Sequence, residues 1–345
     1  MKNQNSSNKM RAIVLKEYHT NLIKVLKNLE IAEIEIPQPM GDQVLVKVEA
    51  SPCNPSDIAF MRGMYNVKKT LPKVMGFECS GKIVSTGDSP EASILLGKNV
   101  SCFSQGNENG TWAEYFLTSA KNCIPLVEEI DMDQAACLSI NPFTAFALFE
   151  LAKARGSKAI VQTAAAGQIG QIVQKFAMQE SMDLINIVRK DAHVEELKNA
   201  GAKYVLNLLD EKFNIEFAEL CEKLNPTTVF EAVGGETTGN ILNLMPENSQ
   251  VVVYGGLSGD NIGGIDVLQT IFHNKSIIGF NLNDFIENQS ADDFEKISLQ
   301  LQNKIIEKQI ETKIQKAIKL DGIVRGLLQY MSKMSDGKIL IKPFL

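Results

Sequence analysis

The stretch KAIVQTAAAGQIGQIVQKFAMQE, residues 158–180, decides the fold of the second half of the chain. Its first residues are apolar, as in a buried strand, and residues 168–180 have the apolar spacing of an amphipathic helix. The turn between them, TAAAGQIG at residues 163–170, consists mostly of small residues. A strand, such a turn and a helix in this order can cradle a pyrophosphate, because the first N–H groups of the helix have no partner inside it. A turn that only packs a helix against a sheet is the alternative interpretation.

The turn matches two of the three glycines of a dinucleotide-binding fingerprint. The fingerprint spacing selects Ala165, Gly167 and Gly170. Gly167 allows the backbone to approach the phosphates and Gly170 allows tight packing of helix on strand, whereas Ala165 departs from the pattern. The predicted cofactor contacts in this turn are Ala166, Gly167, Gln168 and Ile169.

Strand-like and helix-like segments alternate from this turn to about residue 256. The strand-like segments are DLINIVRK, KYVLN, TTVFEAVGG and QVVVYGG, and helix-like segments separate them. This alternation predicts an α/β fold of the Rossmann type, a doubly wound parallel sheet. Its ligand crevice is expected at the carboxyl ends of the strands.

The rest of the chain has a different character. Before about Ile140 it consists of short β-rich runs separated by Pro and Gly, and it closes with the strand-like segment GKILIKPFL. We therefore predict a mostly β catalytic domain from residues 10–142 and 283–345, with a nucleotide-binding domain from residues 143–282. The polar residues 1–9 are predicted to be a disordered tail.

Composition narrows the range of functions. Hydrophobic residues make up 44% of the chain and charged residues 22%, which is typical of a globular protein. No stretch reaches the roughly 18 apolar residues of a membrane span, so no membrane partner is expected. The net charge of −6 argues against a nucleic-acid partner, since such proteins carry a basic face. A small-molecule substrate is the expected partner.

Cysteine and histidine usage argues against a bound metal. The six cysteines are scattered and include no Cys-x-x-Cys pair, and there are only three histidines. Structural zinc needs closely spaced ligands, and imidazole is the commonest ligand of catalytic metals. We expect no metal site, no disulfide framework and a cytoplasmic location with reduced thiols.

The end of the strand that follows the cradle predicts the choice of cofactor. An acidic residue there would bind the ribose diol of NAD, and a basic residue would accept the additional phosphate of NADP. Here Arg189, 19 residues beyond Gly170, and Lys190 occupy this place, and Asp191 follows later. The planar guanidinium of arginine suits a phosphate, so these residues predict NADPH. A solvated run of charges is the alternative.

Several motifs together resemble those of the medium-chain dehydrogenase/reductase superfamily. They are ASPCNPSDIAFMRGMY, VMGFECSGKIVSTG, GTWAEY, SINPFTAFALF and TAAAGQIGQ. They are similar to its zinc-free quinone oxidoreductase branch, and NPSD, NPFTA and INIVRKD are also similar to the related enoyl-thioester reductases. The resemblance covers nearly the whole chain from Met10, and it implies a GroES-like catalytic domain beside the Rossmann domain.

The resemblance also implies that the metal ligands of the zinc-dependent members are replaced. Asn54 and Asn141 correspond to ligand cysteines of those members, and Phe77 corresponds to the ligand histidine. Three simultaneous losses imply chemistry without zinc. A conjugated acceptor suits such a site, because hydride transfer to an enone, an enoyl thioester or a quinone gives a delocalised anion that hydrogen bonds can stabilise.

The proposed catalytic residues are Tyr65 and Asn54. Tyr65, 11 residues after Asn54, matches a tyrosine that the quinone oxidoreductases place near the nicotinamide and that the enoyl reductases use as a proton donor. Packing of Tyr65 in a surface turn is the alternative. Asn54 and Asn141 are neutral amides that can hold the carboxamide or a substrate oxygen. Asp57 is expected to be structural.

Further cofactor contacts are predicted outside the cradle. Thr144 begins a helix, where it contacts nicotinamide or caps the helix, with capping favoured. Segments at two strand ends, VVVYGGLSG and IIGFNLNDF, are expected to border the cofactor, and the second resembles a segment that pairs across a homodimer in many relatives. The remaining predicted contacts are Asn141, Gly255, Gly256, Phe280 and Leu282.

The pattern as a whole predicts an NADPH-dependent, zinc-independent reductase of quinones or α,β-unsaturated carbonyl compounds. An enoyl-thioester reductase of fatty-acid metabolism is the first alternative, although no clear Lys/Arg cluster in the N-terminal half suits a carrier phosphopantetheine. A non-catalytic NADPH-binding protein is the alternative from another class.

Overall fold

The computed structural model describes residues 8–106 and 109–345. The strands are β1 (Lys9–Leu15), β2 (Leu29–Glu35), β3 (Gln43–Pro52), β4 (Lys73–Val74), β5 (Glu78–Thr86), β6 (Asn99–Phe103), β7 (Tyr115–Ser119), β8 (Cys123–Pro125), β9 (Ala159–Gln162), β10 (Asp183–Val188), β11 (Tyr204–Asn207), β12 (Thr228–Glu231), β13 (Gln250–Val253), β14 (Ser276–Gly279), β15 (Ile314–Ile318) and β16 (Lys338–Ile341). The helices are α1 (Leu22–Lys27), α2 (Pro55–Met61), α3 (Pro90–Ser93), α4 (Met132–Ala135), α5 (Asn141–Ala154), α6 (Gln168–Gln179), α7 (Asp191–Asn199), α8 (Phe213–Leu224), α9 (Glu236–Leu244), α10 (Val267–Phe272), α11 (Leu282–Glu287), α12 (Ala291–Ile306) and α13 (Ile323–Ser332). Three 3₁₀ turns cover Ala120–Asn122, Leu320–Gly322 and Met334–Asp336.

The chain forms two compact units. The first contains Met1–Ile140 and Glu295–Leu345, and the second contains Asn141–Phe294. The sequence predicts domain boundaries at 142/143 and 282/283, and these boundaries stay a prediction. The predicted tail, residues 1–9, lies outside the described residues except for Asn8 and Lys9, and Lys9 is already the first residue of β1.

The second unit contains a six-stranded parallel sheet in the order β11-β10-β9-β12-β13-β14. Numbered within the unit, this is the order 3-2-1-4-5-6 of a doubly wound nucleotide-binding sheet, as the alternation predicts. Its strands β9 and β12 are buried throughout, which explains why their sequences are apolar runs without alternation. The strand order reverses between β9 and β12, where the fold places a ligand crevice.

The first unit contains two mainly antiparallel sheets. One has the order β2-β1-β4, and the other the order β15-β16-β3-β5-β6-β8 with β7 also paired to β3. The last strand, β16, pairs antiparallel with the end of β3, where Leu340 lies opposite Pro52. This pairing is the return of the chain to the first unit that the strand-like C-terminal segment predicts.

The first unit has an apolar core that includes several aromatic residues. Phe60, Phe77 and Trp112 are almost completely buried in it, together with residues from α13 and β16. Short helices also occur here, among them α2 directly after β3, although the sequence in this region predicts mainly strands. The first turn of α2 is set by Asn54 and Pro55, because proline at the start of a helix needs no N–H partner.

Candidate functional site

The cradle of the second unit has the geometry of an anion site. β9 ends at Gln162 and α6 begins at Gln168, with Gly167 in an extended conformation just before the helix. A Cβ atom on Gly170 would lie 2.4 Å from the carbonyl oxygen of Ala165, so only glycine permits this approach of helix to turn. This turn of small residues leads into the N-terminal end of α6, where the helix dipole favours an anion, so the residues fit the pyrophosphate of a dinucleotide.

A buried network of amides holds the cradle helix on the sheet. The Nε2 of Gln162 donates to the carbonyl of Gly170 at 3.0 Å and to Oδ1 of Asn186 at 2.7 Å. The Nδ2 of Asn186 donates in turn to Oε1 of Gln174 at 2.9 Å. These three side chains connect β9, β10 and α6, and the sequence offered no signal for them beyond polar residues inside apolar segments.

Arg189 and Lys190 lie where the sequence predicts them, directly after β10, and both are exposed. Within the described part of the chain, neither side chain has a hydrogen bond or an ion pair. The neighbouring Asp191 is different, because its Oδ1 accepts a hydrogen bond of 2.7 Å from Nδ2 of Asn207. The backbone N–H of Leu209 binds the Oδ1 of Asn207, which orients that amide. The carboxylate of Asp191 thus already accepts a hydrogen bond, whereas the side chains of Arg189 and Lys190 have no partner among the described residues.

The strand ends next to the cradle carry a buried carboxyl group. Oε1 of Glu231 accepts hydrogen bonds from the backbone N–H groups of Val233 and Gly234, the latter at 2.9 Å. Burial raises the pKa of Glu231, and these two hydrogen bonds oppose the shift. Gly255 lies close by, since a Cβ atom there would come within 2.9 Å of the carbonyl oxygen of Ala232. Gly256, in contrast, has open space around its Cα.

The remaining predicted cofactor residues lie at the start of α5, directly after β14 and at the start of α11. Asn141 and Thr144 are buried in the first turn of α5. Thr144 is the fourth residue of that helix, so it does not occupy the N-cap position that the sequence favoured. Phe280 follows β14 with its N–H bound to the carbonyl of Val253 at 2.8 Å, and Leu282 is the first residue of α11. Both side chains are half-buried.

Tyr65 lies in the loop after α2 in the first unit. Its ring packs against the ring of Phe77 with centroids 5.8 Å apart, and Phe77 packs edge-on against Phe60 at 5.4 Å. The Oη of Tyr65 accepts a hydrogen bond of 2.6 Å from Nε2 of Gln105. Burial raises the pKa of Tyr65, the hydrogen bond from Gln105 lowers it, and the charge of Asp57 raises it. The phenol is therefore protonated at neutral pH.

Asn54 is held by hydrogen bonds through both atoms of its side-chain amide and through its backbone N–H. Its Nδ2 donates to Oε2 of Glu78 at 3.1 Å, its Oδ1 accepts from Nζ of Lys338, and its backbone N–H donates to Oδ2 of Asp57 at 2.7 Å. Asn54 is 2% exposed and Lys338 is 1% exposed. One hydrogen of the Asn54 amide remains for another acceptor, whereas the oxygen is occupied by the ammonium group.

Two buried carboxyl groups lie close enough to this ammonium group for its charge to affect their pKa values. Burial raises the pKa of Asp57 and that of Glu78 to about 7 each, while the charge of Lys338 lowers both. Oε1 of Glu78 also accepts from the N–H of Ile140 at 2.9 Å. Asp57 caps α2 through its hydrogen bond to Asn54, which is the structural role expected for it. Glu78 and Lys338 were not recognised from the sequence, because a lone acid and a lone lysine carry no pattern.

Comparison with known proteins supports the superfamily suggested by the sequence motifs. Residues 40–128 match the family described as alcohol dehydrogenase GroES-like domain, and residues 168–301 match the zinc-binding dehydrogenase family. A crystal structure from Mesorhizobium loti, provisionally assigned as an NADPH:quinone reductase, is 31% identical with a TM-score of 0.91, and the match covers 99% of this chain and 100% of that one. The chain belongs to the medium-chain dehydrogenase/reductase superfamily.

Other members of the superfamily resemble the chain at greater distance. The mitochondrial enoyl-[acyl-carrier-protein] reductase of Mus musculus is 29% identical over 320 residues, which are 91% of this chain and 83% of that protein. The Etr1p/Etr2p heterodimer of mitochondrial 2-enoyl thioester reductase from Candida tropicalis shares the fold, with a TM-score of 0.78 and 20% identity over 97% of this chain and 99% of that one. The protein is accordingly an NAD(P)-binding oxidoreductase that acts on small molecules.

The name of one matching family implies zinc, but the three residues that the sequence motifs predict at the ligand positions do not fit that ion. Zinc is bound by thiolate, imidazole or carboxylate groups, whereas Asn54 and Asn141 are amides and Phe77 is a phenyl ring. The ammonium group of Lys338 on Asn54 would also repel a cation. Among residues 8–106 and 109–345, no group of three His, Cys, Asp or Glu side chains has an arrangement that could bind a metal.

A helix that spans a membrane needs about 18 or more mostly apolar residues. Within the described ranges, no helix is sufficiently long and apolar to cross a bilayer.

Proposed function

We propose that the protein is a zinc-independent, NADPH-dependent reductase of quinones or α,β-unsaturated carbonyl compounds, with Tyr65 as the proton donor. The observation that carries the proposal is the phenol of Tyr65, which lies against the apolar ring of Phe77 and is hydrogen-bonded by an amide donor. Such a phenol is a neutral acid, which can protonate or stabilise a delocalised anion without a metal ion.

The chemistry divides between cofactor and protein. When bound, NADPH supplies a hydride, that is, two electrons and one hydrogen. The cradle before α6 would hold the pyrophosphate, since Gly167 and Gly170 keep side chains away from it. Tyr65 would supply the proton that completes the reduced product. The products are then NADP⁺, the reduced acceptor and a tyrosinate that regains its proton from water.

The preference for NADPH over NADH rests on Arg189 and Lys190. Both are exposed directly after β10, and the competing Asp191 is bound by Asn207. A guanidinium group can bind the 2′-phosphate through two parallel hydrogen bonds, while a free acidic residue would favour the ribose diol of NADH.

A panel of acceptors tests the proposed reaction. We would measure NADPH oxidation with quinones, enones, simple aldehydes and crotonyl thioesters. We expect turnover of the conjugated acceptors and little turnover of simple aldehydes, because their alkoxide product has a concentrated charge. Equal turnover of simple aldehydes would contradict the proposal.

An enoyl-thioester reductase is the second candidate function. Its support is the similarity to the Mus musculus enoyl reductase over 91% of this chain. In the same panel, crotonyl thioester as the preferred acceptor would favour it over quinone reduction. Tight NADPH binding without turnover of any acceptor would favour a non-catalytic NADPH-binding protein.

We further propose that the protein forms a homodimer through β14. This strand is an edge of the parallel sheet, so one row of its backbone groups has no partner strand in the described chain. The preceding α10 exposes apolar side chains, among them Ile271 at 62% and Phe272 at 72%. A second copy related by a two-fold axis would pair its own β14 there. Sedimentation equilibrium tests this, and a Phe272→Glu variant should shift the protein toward monomer.

The cytoplasm is the proposed location. The support is that all six cysteines are free thiols, as in a reducing compartment. Fractionation of cells with an antibody against the protein tests this assignment against the mitochondrial location named for the enoyl reductases.

A further inference from the structure

Gln105 connects the sheet of the first unit to Tyr65. It follows the end of β6 by two residues, whereas Tyr65 lies in the loop after α2. The distance from Nε2 of Gln105 to Oη of Tyr65 is 2.6 Å, and both side chains are half-buried. An amide nitrogen carries two hydrogens and no acceptor lone pair, so it can only donate. The phenol oxygen is therefore the acceptor in this hydrogen bond.

The direction of this bond determines where the phenol proton can go. A phenol has one hydrogen of its own, and an oxygen that accepts from Gln105 keeps that hydrogen for another partner. We propose that Gln105 is a positioning residue that holds Tyr65 as a proton donor and stabilises the tyrosinate formed when the proton leaves. This inference deepens the proposed function and rests on it.

The electrostatic surroundings of Tyr65 show why such a donor is needed. Burial disfavours the tyrosinate, and the neighbouring charge of Asp57 disfavours it further. The opposing influence on Tyr65 is the hydrogen bond from Gln105. The ammonium group of Lys69 lies over the ring of Phe77, which packs against Tyr65, and is 5.6 Å from the centroid of the Phe77 ring. Gln105 is thus the group in hydrogen-bond contact with the phenolic oxygen when negative charge develops there.

The proton transfer is balanced as follows. The O–H bond of Tyr65 breaks, its electron pair stays on Oη, and the proton forms a new O–H or C–H bond on the anion produced by hydride transfer. No oxidant or reductant beyond the hydride donor of the proposed reaction is required. Gln105 neither gains nor loses a proton in this step.

Two variants of Gln105 distinguish a hydrogen-bond donor from a side chain that only fills space. In Gln105→Glu the carboxylate has the size of the amide but can only accept, so the phenol hydrogen is drawn toward residue 105. Gln105→Leu keeps bulk and removes the hydrogen bond. We expect each variant to lower kcat by about 10-fold to 100-fold, which corresponds to a hydrogen bond to a charged group. The KM for NADPH should not change. Gln309→Leu, at an exposed position of the same unit, is the matched control.

The same variants in a Tyr65→Phe background complete the test. If Gln105 acts through the phenol, its substitution has no further effect on kcat once the hydroxyl is absent. A full effect of Gln105→Leu in that background, or wild-type kcat in Gln105→Glu, would overturn the proposal.

A titration keeps the inference separate from the proposed reaction. The ultraviolet absorbance of tyrosinate, taken as the difference between the wild type and Tyr65→Phe, reports the pKa of Tyr65. We expect the pKa to be higher in Gln105→Leu than in the protein with Gln105. Failure of every acceptor in the enzymatic panel would defeat the proposed function, whereas an unchanged Tyr65 pKa would defeat the role of Gln105.

Discussion

The Nζ of Lys338 contacts the Oδ1 of Asn54, although the two residues are 284 positions apart in the chain. The contact joins β16 to the start of α2 inside the first unit, and it lies beside the buried carboxyl groups of Asp57 and Glu78. A buried ammonium group thus contacts the amide that the sequence motifs predict in place of a metal ligand of zinc-dependent relatives.

Removal of this buried cation should destabilise the fold. In Lys338→Met the carboxyl groups of Asp57 and Glu78 lose the positive charge that favours their ionised forms. We expect a loss of about 3–5 kcal/mol in the free energy of unfolding at neutral pH, measured by urea titration. Lys333→Met, at a lysine whose side chain is 68% exposed, is the control and should change it by less than about 0.5 kcal/mol. Equal stability of both variants would contradict the role of Lys338.

Stability should fall as the pH rises toward neutrality. The pKa of Glu78 is raised from its ordinary value of 4.5 to about 7 and that of Asp57 from 3.8 to about 7, so the folded state holds protons that the unfolded state has lost in that window. The free energy of unfolding then decreases with rising pH, by at most about 1.4 kcal/mol per pH unit for each group. Above about pH 7 this contribution is lost and the dependence should level off.

The variant Glu78→Gln tests the source of that pH dependence. It removes one of the two titrating groups, so the slope between pH 5 and pH 7 should become shallower in urea titrations at several pH values. Glu128→Gln, at an exposed position, should keep the wild-type slope. A slope that Glu78→Gln leaves unaltered would show that other groups cause it.

Loss of the Tyr65 hydroxyl should reduce turnover. Tyr65→Phe keeps the ring that packs on Phe77 and removes the acid, so we expect kcat to fall by about 10²-fold to 10⁴-fold with the preferred conjugated acceptor. The affinity for NADPH, measured by fluorescence titration, should not change. Tyr115→Phe, in β7, is the control and should keep full activity. Wild-type turnover of Tyr65→Phe would rule out the donor role.

Substitution of Arg189 should affect one cofactor only. We expect Arg189→Gln to weaken NADPH binding by about 10-fold to 100-fold, as for loss of a charged hydrogen bond to a phosphate, and to leave NADH binding unchanged. Calorimetric titration with both cofactors measures this, and Lys198→Gln, at an exposed position of α7, is the control. In the wild type, NADPH should also raise the midpoint of thermal unfolding more than NADH does. Equal stabilisation by the two cofactors would contradict the assignment of Arg189.

The cradle and the parallel sheet could be predicted because their signals are local. The apolar run of β9, the small residues of the turn and the periodicity of α6 lie within 23 consecutive residues, 158–180. The position of Arg189 after β10 follows from the same alternation. The details around these elements could not be predicted, since the amide network of Gln162 and Asn186 joins residues on different elements.

The sequence by itself determined the superfamily and the alternation of strands and helices in the second unit, and it predicted that Asn54, Phe77 and Asn141 replace metal ligands, because each depends on residue identity or on regular spacing along the chain. Only the tertiary structure decided what surrounds Asn54 and Tyr65. Lys338, Glu78 and Gln105 meet Asn54 and Tyr65 through contacts between distant segments, and a single lysine, acid or amide carries no local pattern. Burial then gives these few polar contacts their importance, since an unpaired charge or phenol in an apolar core is costly.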